Sequence, residues 1–308
     1  MLAIRQERLG GPEVLELTER LRPEPGPTEV LVRVTAAGVN PLDWKTRRSG
    51  AFLGRPPFTV GADVAGVVAE VSEGVTRFAV GDRVFGMPRF PHEAAAYAEY
   101  VISPARHLAL TPARLTDVEA AALPMAALTA WQALVDTADL QRGKRVLIHG
   151  AAGGIGHLAV QIAKARGAYV IGTARSSKHR FLHELGLDEA IDHTRYEAAA
   201  VVRDVDVVLD LVGGETALRS LAALRDGGLL IGVSSGTDAA QVAAAGRVCV
   251  TYLLVEPDHR GLEAIAELAD SERLHVRVSR TFPLAEAARA HEVGEAGQAN
   301  GKLVLTVE

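Results

Sequence analysis

A glycine-rich segment in the middle of the chain has the residue types that bind a phosphate group. An apolar run ending at Gly150 is followed by the letters AAGGIG. In this segment Ala151, Gly153 and Gly156 take the three positions of the G-x-G-x-x-G pattern. Glycine lets the backbone approach a pyrophosphate closely, and the amino end of the next helix supplies N–H donors and a positive dipole end. The spacing predicts a dinucleotide site formed by Ala151, Ala152, Gly153, Gly154, Ile155 and Gly156.

The residues after the next apolar run favour a dinucleotide that carries a 2′-phosphate. In NAD-binding units an acidic residue stands about 20 residues after the glycines and binds the ribose 2′-hydroxyl. Here no acid occurs from 169 to 182, and Arg175, Ser176 and Lys178 stand in that region instead. A guanidinium, a hydroxyl and an ammonium suit a phosphate through charge-assisted hydrogen bonds. The segment predicts NADP(H), with a solvated surface loop as the alternative.

The segments around this turn alternate between short β-branched runs and helical stretches. From 145 to 255 the apolar runs include RVLIHG, AYVIGTA, EAIDH, VDVVLDLVG and GGLLIGVSS. Between them, apolar residues recur every three or four positions. This alternation predicts a parallel sheet with helices on both faces, which is a doubly wound fold. The first hundred residues have short strands between Gly and Pro turns, which predicts a mostly antiparallel β domain.

The order of these patterns predicts two domains, one of them discontinuous. A chain of 308 residues is long enough for two domains. The final KLVLTV is a strand with no partner nearby in the sequence, so we expect it to join the first domain. The predicted boundaries are 1–118 with 277–308 for the β domain and 119–276 for the dinucleotide-binding domain.

Composition excludes several classes of protein. The single cysteine, Cys249, excludes an intramolecular disulfide and any zinc site with two thiolates, and it fits a reducing compartment. Lys and Arg number 33 against 38 for Asp and Glu, which disfavours a nucleic-acid partner. No segment has the roughly 18 apolar residues of a membrane span. We therefore expect a cytoplasmic protein that acts on a small molecule, with no nucleic-acid or membrane partner.

The whole chain resembles a known family. The order of β domain, glycine-rich unit and returning strand is similar to that of the medium-chain dehydrogenase/reductase superfamily, whose amino-terminal domain is GroES-like. The segments GVNPLDWKTRRSG, GADVAGVVAEVSEGVTRFAVGDRVFG, ALTAWQAL and HGAAGGIG resemble its zinc-free quinone oxidoreductase branch, which includes the zeta-crystallins. The resemblance implies an α/β fold, with a Rossmann doubly wound parallel sheet plus a GroES-like, mostly β domain.

The positions that bind zinc in zinc-dependent members hold other residues here. Those members have a cysteine in the first turn, a Gly-His-Glu segment and a lobe with four cysteines. In this chain the first turn reads AAGVNPLD, Ala62 stands in place of the histidine, and the lobe is missing. We therefore expect no metal. Without a Lewis acid, the acceptor should be one that takes up hydride readily, such as a quinone or a conjugated carbonyl.

The resemblance also implies which residues form the site. The implied catalytic residues are Asn40, Asp43 and Thr129; Asn40 would donate through its amide, and Asp43 would orient Asn40 or a water, with plain turn residues as the alternative. Phe52 stands where the family often has a tyrosine, so solvent is the expected proton source. The other implied cofactor contacts are His193, Leu211, Val212, Val233, Ser234, Leu253, Val255 and Lys302.

The combined prediction is a zinc-independent, NADPH-dependent oxidoreductase of the quinone oxidoreductase type. The first alternative is an enone or enoyl-thioester reductase, which shares the same hydride chemistry. The second is a dinucleotide-binding sensor or structural protein without turnover. The apolar segment 250–255 resembles the edge through which two subunits of this family join their sheets, which implies a homodimer.

Overall fold

The chain is described by a computed structural model over residues 1–233 and 247–308. Its contacts divide the chain into two units, here called the β unit and the Rossmann unit. The β unit comprises Met1–Leu128, Glu256–Glu272 and Val276–Glu308, and the Rossmann unit comprises Thr129–Val255 and Arg273–His275.

The secondary structure follows the two patterns of the sequence, with short strands first and alternating strands and helices later. Within the described ranges the strands are β1 (Leu2–Arg5), β2 (Glu16–Glu19), β3 (Glu29–Val39), β4 (Asp63–Val71), β5 (Arg83–Gly86), β6 (Tyr100–Pro104), β7 (Leu108–Leu110), β8 (Arg145–His149), β9 (Tyr169–Ala174), β10 (Glu189–Asp192), β11 (Val205–Asp210), β12 (Leu224–Gly232), β13 (Cys249–Tyr252), β14 (Val278–Pro283) and β15 (Lys302–Thr306). The α-helices there are α1 (Pro41–Ser49), α2 (Asp117–Ala121), α3 (Pro124–Trp131), α4 (Gly156–Ala165), α5 (His179–Glu184), α6 (Ala198–Val201), α7 (Glu215–Ser220), α8 (His259–Asp270) and α9 (Ala287–Glu295). None of these helices is long and apolar enough to cross a membrane.

The β unit contains a two-stranded antiparallel sheet of β1 and β2 and a larger, mostly antiparallel sheet. The strands of the larger sheet run in the order β14-β15-β3-β4-β5-β7, and β6 also pairs with β3. Val30, Val32 and Val34 alternate along β3 and are buried in the core of this unit. The last strand, β15, pairs antiparallel with β3 and places Leu303 opposite Val39. The returning strand that the sequence predicts is therefore present.

The Rossmann unit contains a parallel sheet in the order β10-β9-β8-β11-β12-β13. The first strand, β8, lies inside the sheet; the next two strands extend it on one side, and the last three extend it on the other. This order reverses direction between β8 and β11, which is where open α/β sheets bind ligands. Leu147, Ile171, Val208 and Leu230 are fully buried in its core. The predicted α/β fold class is confirmed.

The compact units have different bounds from the predicted domains. Residues 119–128 and 256–272, which the prediction placed in the dinucleotide-binding domain, belong to the β unit. Residues 256–272 belong to the β unit because their helix, α8, packs against β7. In addition, the backbone N–H of Arg114 donates to Asp270 at 3.1 Å. The helical pattern of 256–272 does not reveal this partner, since an amphipathic helix fits either unit.

Candidate active site

The glycine-rich turn lies between β8 and α4, at the switch point of the Rossmann sheet. At Gly156 an added Cβ would lie 2.3 Å from the carbonyl oxygen of Gly150, so only glycine fits where the helix packs on the strand. At Gly153, which is exposed, an added Cβ would meet only the Gly150 oxygen, at 3.2 Å. At the start of α4 the N–H groups of His157, Leu158 and Ala159 donate to the carbonyl oxygens of Gly153 and Ile155. Gly153 is the exposed glycine of the turn, and its outer side is where a pyrophosphate would approach the backbone.

A buried histidine holds this turn in place. The Ser220 hydroxyl donates to the Thr216 carbonyl at 2.6 Å, so it accepts from His149 Nε2 at 2.7 Å. His149 Nδ1 then accepts from the Thr173 hydroxyl at 3.2 Å, and the Thr173 oxygen accepts from the N–H of Gly150. Burial lowers the pKa of His149, which keeps the ring neutral. These hydrogen bonds were not predicted from the sequence.

A pocket of about 380 Å³ lies at the ends of β9 and β10. Ser176, one of the residues predicted to bind the 2′-phosphate, is part of its lining. Arg175 is exposed and Lys178 half-buried in the same turn, and neither belongs to the lining. Arg195 does line the pocket and was missed in the sequence. His193 is exposed beside these residues; the complete lining is Ser176, His179, Ala190, Ile191, Asp192, Arg195, Tyr196 and Val201.

The remaining predicted cofactor contacts of the Rossmann unit follow its other strands. Because the sheet is parallel, the carboxyl ends of these strands share one edge with the glycine-rich turn. Asp210, at the end of β11, accepts from the N–H groups of Val212 and Gly213 and shapes the loop after the strand. Ser234 lies outside the described residues. The predicted contacts at strand ends are Leu211 and Val212 after β11, Val233 after β12, and Leu253 and Val255 after β13.

The two catalytic candidates of the β unit lie together at the start of α1. Asn40 is the N-cap residue, and its N–H donates to Asp43 Oδ2 at 2.7 Å. Both side chains are buried. The third candidate, Thr129, is buried on α3 in the Rossmann unit.

The amide of Asn40 is held by two charged side chains. Lys302 Nζ donates to Asn40 Oδ1 and also to the Val39 carbonyl at 3.3 Å. Asn40 Nδ2 donates to Asp63 Oδ2 at 2.9 Å. Because an ammonium only donates, it fixes the amide with its oxygen toward Lys302 and its nitrogen toward Asp63. One amide hydrogen of Asn40 is thus used within the protein.

Lys302 and Asp63 form a buried pair beneath Asn40. Their charged atoms are 4.0 Å apart, and the side chains are 4% and 0% exposed. Asp63 Oδ1 also accepts from the N–H of Met125 at 2.9 Å. Burial raises the pKa of Asp63 and lowers that of Lys302, and each charge opposes the shift of the other. The ammonium of Lys302, predicted as a cofactor contact, is used inside the β unit.

Asp43 lies at the border of a small cavity. Its Oδ2 also accepts from the Tyr97 hydroxyl at 3.1 Å. Burial raises the pKa of Asp43 to about 7, with a further increase from Asp63, although the Asn40 N–H, Lys302 and Tyr97 favour the charged form. A carboxyl with this pKa changes its protonation state near neutral pH.

A second layer of buried groups lies behind Tyr97. The Tyr97 hydroxyl is 3.2 Å from His291 Nε2, and His291 Nδ1 is 3.1 Å from an Arg47 nitrogen. Arg47 is 1% exposed and also donates to both carboxylate oxygens of Glu295, at 2.9 and 3.1 Å. Burial, with the charge of Arg47, lowers the pKa of His291 to about 3.

These partners of Asp43 were missed in the sequence. Arg47 stands one helical turn after Asp43, a spacing that places both on one face of α1, and this was the one available local signal. His291 stands 244 residues from Arg47 along the chain. No local pattern joins residues at that separation.

Comparison with known proteins places these features in a family. The chain matches "Alcohol dehydrogenase GroES-like domain" over residues 26–113 and "Zinc-binding dehydrogenase" over 185–305. It is 35% identical to a 2-haloacrylate reductase of Burkholderia sp, covering 96% of each chain. It is 31% identical to human quinone oxidoreductase, covering 99% of this chain and 97% of the relative.

Solved structures give the same result. A quinone oxidoreductase from Coxiella burnetii is similar with a TM-score of 0.94 and 36% identity, covering 100% of this chain and 99% of that one. A mycobacterial protein complexed with NADPH has a TM-score of 0.89 and 33% identity, covering 99% and 100%. The predicted family is confirmed. The chain belongs to the quinone oxidoreductase branch of the medium-chain dehydrogenase/reductase superfamily and is an NAD(P)H-dependent oxidoreductase.

Proposed function

We propose that the chain transfers a hydride from NADPH to a quinone or a related conjugated carbonyl without a metal ion. The glycine-rich turn carries this proposal, because Gly153 keeps free a space that a pyrophosphate would use. Bound there, NADPH supplies the hydride. The strand-end residues named above remain proposed contacts with the rest of the dinucleotide, and the residues proposed to bind the 2′-phosphate are Arg175, Ser176, Lys178 and Arg195.

The residues of the β unit do not fit the zinc ion that one matched family description names. Ala62 has no ligand atom, and in the described part of the chain no group of three or more His, Cys, Asp or Glu could hold a metal ion. The next residue, Asp63, is already paired with the buried ammonium of Lys302. A divalent cation at this position would be repelled by that ammonium in a medium of low dielectric constant.

Two observations support the proposed acceptor class: the residues of the β unit do not fit a zinc ion, and aromatic side chains line the cavity beside Asp43. Conjugated acceptors spread the charge left by hydride over an enolate or phenolate, so they need no metal. The cavity is lined partly by Phe52 and Phe90, whose rings form an edge-to-face pair with centroids 5.5 Å apart. Aromatic side chains of this kind suit a planar, conjugated ligand.

A conjugated double-bond reductase is the second candidate. The Burkholderia relative is named a 2-haloacrylate reductase, and a haloacrylate is a conjugated carboxylate. An enoyl reductase is also among the similar structures, with a TM-score of 0.90 and 27% identity. These neighbours favour acceptors with a carbon–carbon double bond beside a carbonyl group.

Purified protein, dialysed against a strong chelator, tests the proposal. We expect it to oxidise NADPH in the presence of 9,10-phenanthrenequinone or an enone, and the ratio of the two rates separates the two candidates. One zinc per chain by elemental analysis, with activity lost on chelation, would overturn the metal-free mechanism. NADPH binding without turnover on any acceptor would favour the sensor or structural alternative.

We also propose a homodimer in the cytoplasm. In the described part of the chain, β13 is the last strand of the Rossmann sheet, with Tyr252 exposed on it. A parallel edge of this kind is covered when two copies pair. Cys249 is a free, exposed thiol, which suits a reducing compartment. Light scattering that gives a monomer mass at micromolar concentration would contradict the dimer.

A further inference from the structure

A buried carboxyl lines the cavity beside α1, and only one of its two oxygens accepts hydrogen bonds from the described residues. Asp43 is 3% exposed and lines the cavity together with Phe52, Phe90 and His92. Its Oδ2 accepts the two hydrogen bonds from the Asn40 N–H and the Tyr97 hydroxyl. Its Oδ1 has no hydrogen-bond partner among the residues that the structure describes. The cavity measures about 30 Å³, which is room for a water molecule or one edge of a ligand.

The hydrogen bonds behind Asp43 all run in one direction. Arg47 can only donate, so His291 Nδ1 is the acceptor and its hydrogen is on Nε2. That N–H donates to the Tyr97 oxygen, and the single hydroxyl hydrogen of Tyr97 is therefore free to donate to Asp43 Oδ2. Because Oδ2 faces two donors, a proton on the Asp43 carboxyl must be on Oδ1.

The charges that face Asp43 come from every element around it. Asp63 on β4 disfavours its ionisation, and Lys302 on β15 favours it. Behind Tyr97, Arg47 is neutralised by Glu295, and His291 stays uncharged at neutral pH. His92 lines the cavity but is exposed. Burial is the largest influence, and it gives Asp43 a pKa of about 7 instead of 3.8.

We propose that Asp43 protonates the reduced acceptor through Oδ1, and that Tyr97, His291 and Arg47 are positioning residues that hold its carboxyl. The proposal rests on the proposed function. Hydride transfer leaves the acceptor as an enolate or phenolate. The O–H bond of Asp43 then breaks, a C–H or O–H bond forms on the acceptor, and Asp43 remains as a carboxylate.

The proton on Asp43 is replaced by solvent through the cavity. The hydrogen bonds behind Oδ2 cannot supply this proton, because they end at the guanidinium of Arg47, which does not release a proton. In this mechanism Asp43, and not solvent, protonates the acceptor directly. A tyrosine at the position of Phe52 is then not needed as a proton donor.

The test compares Asp43→Asn with wild type on an enone and on 9,10-phenanthrenequinone. Asparagine keeps the size and one oxygen acceptor but has no acidic proton. We expect kcat on the enone to fall at least about 100-fold, the usual scale for loss of a general acid. The quinone should be affected far less, because a phenolate is stable enough to leave without a proton. NADPH affinity should stay unchanged, and Asp82→Asn, in a surface turn, is the matched control.

The pH profile supplies an independent readout. The acid form of Asp43 is present below its pKa, so kcat on the enone should fall as pH rises through about 7. Tyr97→Phe removes a donor that favours the carboxylate, so the fall should move to higher pH. This shift is the measurement to use if Asp43→Asn does not fold.

Failure of the proposed function and failure of the proposed role of Asp43 give different results. Wild type that oxidises no NADPH with any acceptor would overturn the proposed function and this inference with it. Wild type that is active, while Asp43→Asn keeps its enone rate, would overturn the inference and leave the proposed function standing. An unchanged pH profile in active Tyr97→Phe would likewise overturn it.

Discussion

At the scale of single residues, the β unit is defined by charges that the fold buries and pairs. Lys302 lies between Asn40 and Asp63, and Arg47 lies between His291 and Glu295. Burying a charge is costly unless hydrogen bonds and an opposite charge compensate it. Each cation therefore orders the groups around it, and through them it fixes the amide of Asn40 and the carboxyl of Asp43.

Lys302→Met tests this at one position. The variant keeps the side-chain volume but leaves Asp63 buried without its cation. Breaking a buried pair in this way should cost about 3 kcal/mol of unfolding free energy. Urea unfolding measures the cost, and Lys144→Met, which breaks a partly exposed pair with Asp206, should cost less than about 1 kcal/mol. Equal stability of the two variants would show that the Lys302 charge does not order the site.

At the scale of elements, the sequence predicts local features well and distant contacts poorly. The glycine-rich turn and the parallel sheet follow from patterns within one strand–helix unit, so both could be read from neighbouring residues. The bond between Arg47 and His291 joins positions 244 residues apart, and α8 carries no local signal for its unit. The basic turn at Arg175 was identified, whereas Arg195 was missed because the pocket lining depends on how β9 and β10 pair.

Two glycine variants separate the roles of positions in the turn. Gly153→Val should abolish NADPH binding, because the new side chain occupies the space of the pyrophosphate, and it should need only a small local adjustment of the fold, since its Cβ meets only the Gly150 oxygen, at 3.2 Å. Gly156→Val should instead disrupt folding, because a Cβ there would lie 2.3 Å from the Gly150 oxygen. Fluorescence titration with NADPH and thermal unfolding measure the two effects. Unchanged NADPH affinity in folded Gly153→Val would show that the site lies elsewhere.

The basic residues at the ends of β9 and β10 should set the preference for NADPH over NADH. A hydrogen bond to a charged group is worth about 1.5–3 kcal/mol. Because Arg175 is exposed, the low end applies, and two such bonds give a preference on the order of 100-fold. Arg175→Asp should shrink or reverse the preference, and Arg195→Asp should be compared with it.

Catalytic efficiencies with both cofactors, measured at two salt concentrations, test this. High salt should weaken NADPH binding more than NADH binding. If neither variant changes the ratio, the basic turn is only a solvated surface.

At the scale of the whole molecule, the two proposed sites belong to different units. The Rossmann unit has the turn and strand ends that suit a dinucleotide, and the β unit has the buried acid and its cavity. The chain path ties the β unit together across its full length, because β15 pairs with β3 and α8 packs on β7. Truncation before β15 should therefore damage the β unit, although only the final few residues are lost.

The most direct test of hydride transfer uses NADPH with deuterium at both C4 positions, together with an enone. An enone is chosen because hydride added to its β-carbon forms a C–D bond that does not exchange with water. With chelator-treated protein we expect the saturated product to carry one deuterium, detected by mass spectrometry. Product without deuterium, or no product while NADPH remains bound, would contradict metal-free hydride transfer to a conjugated carbonyl.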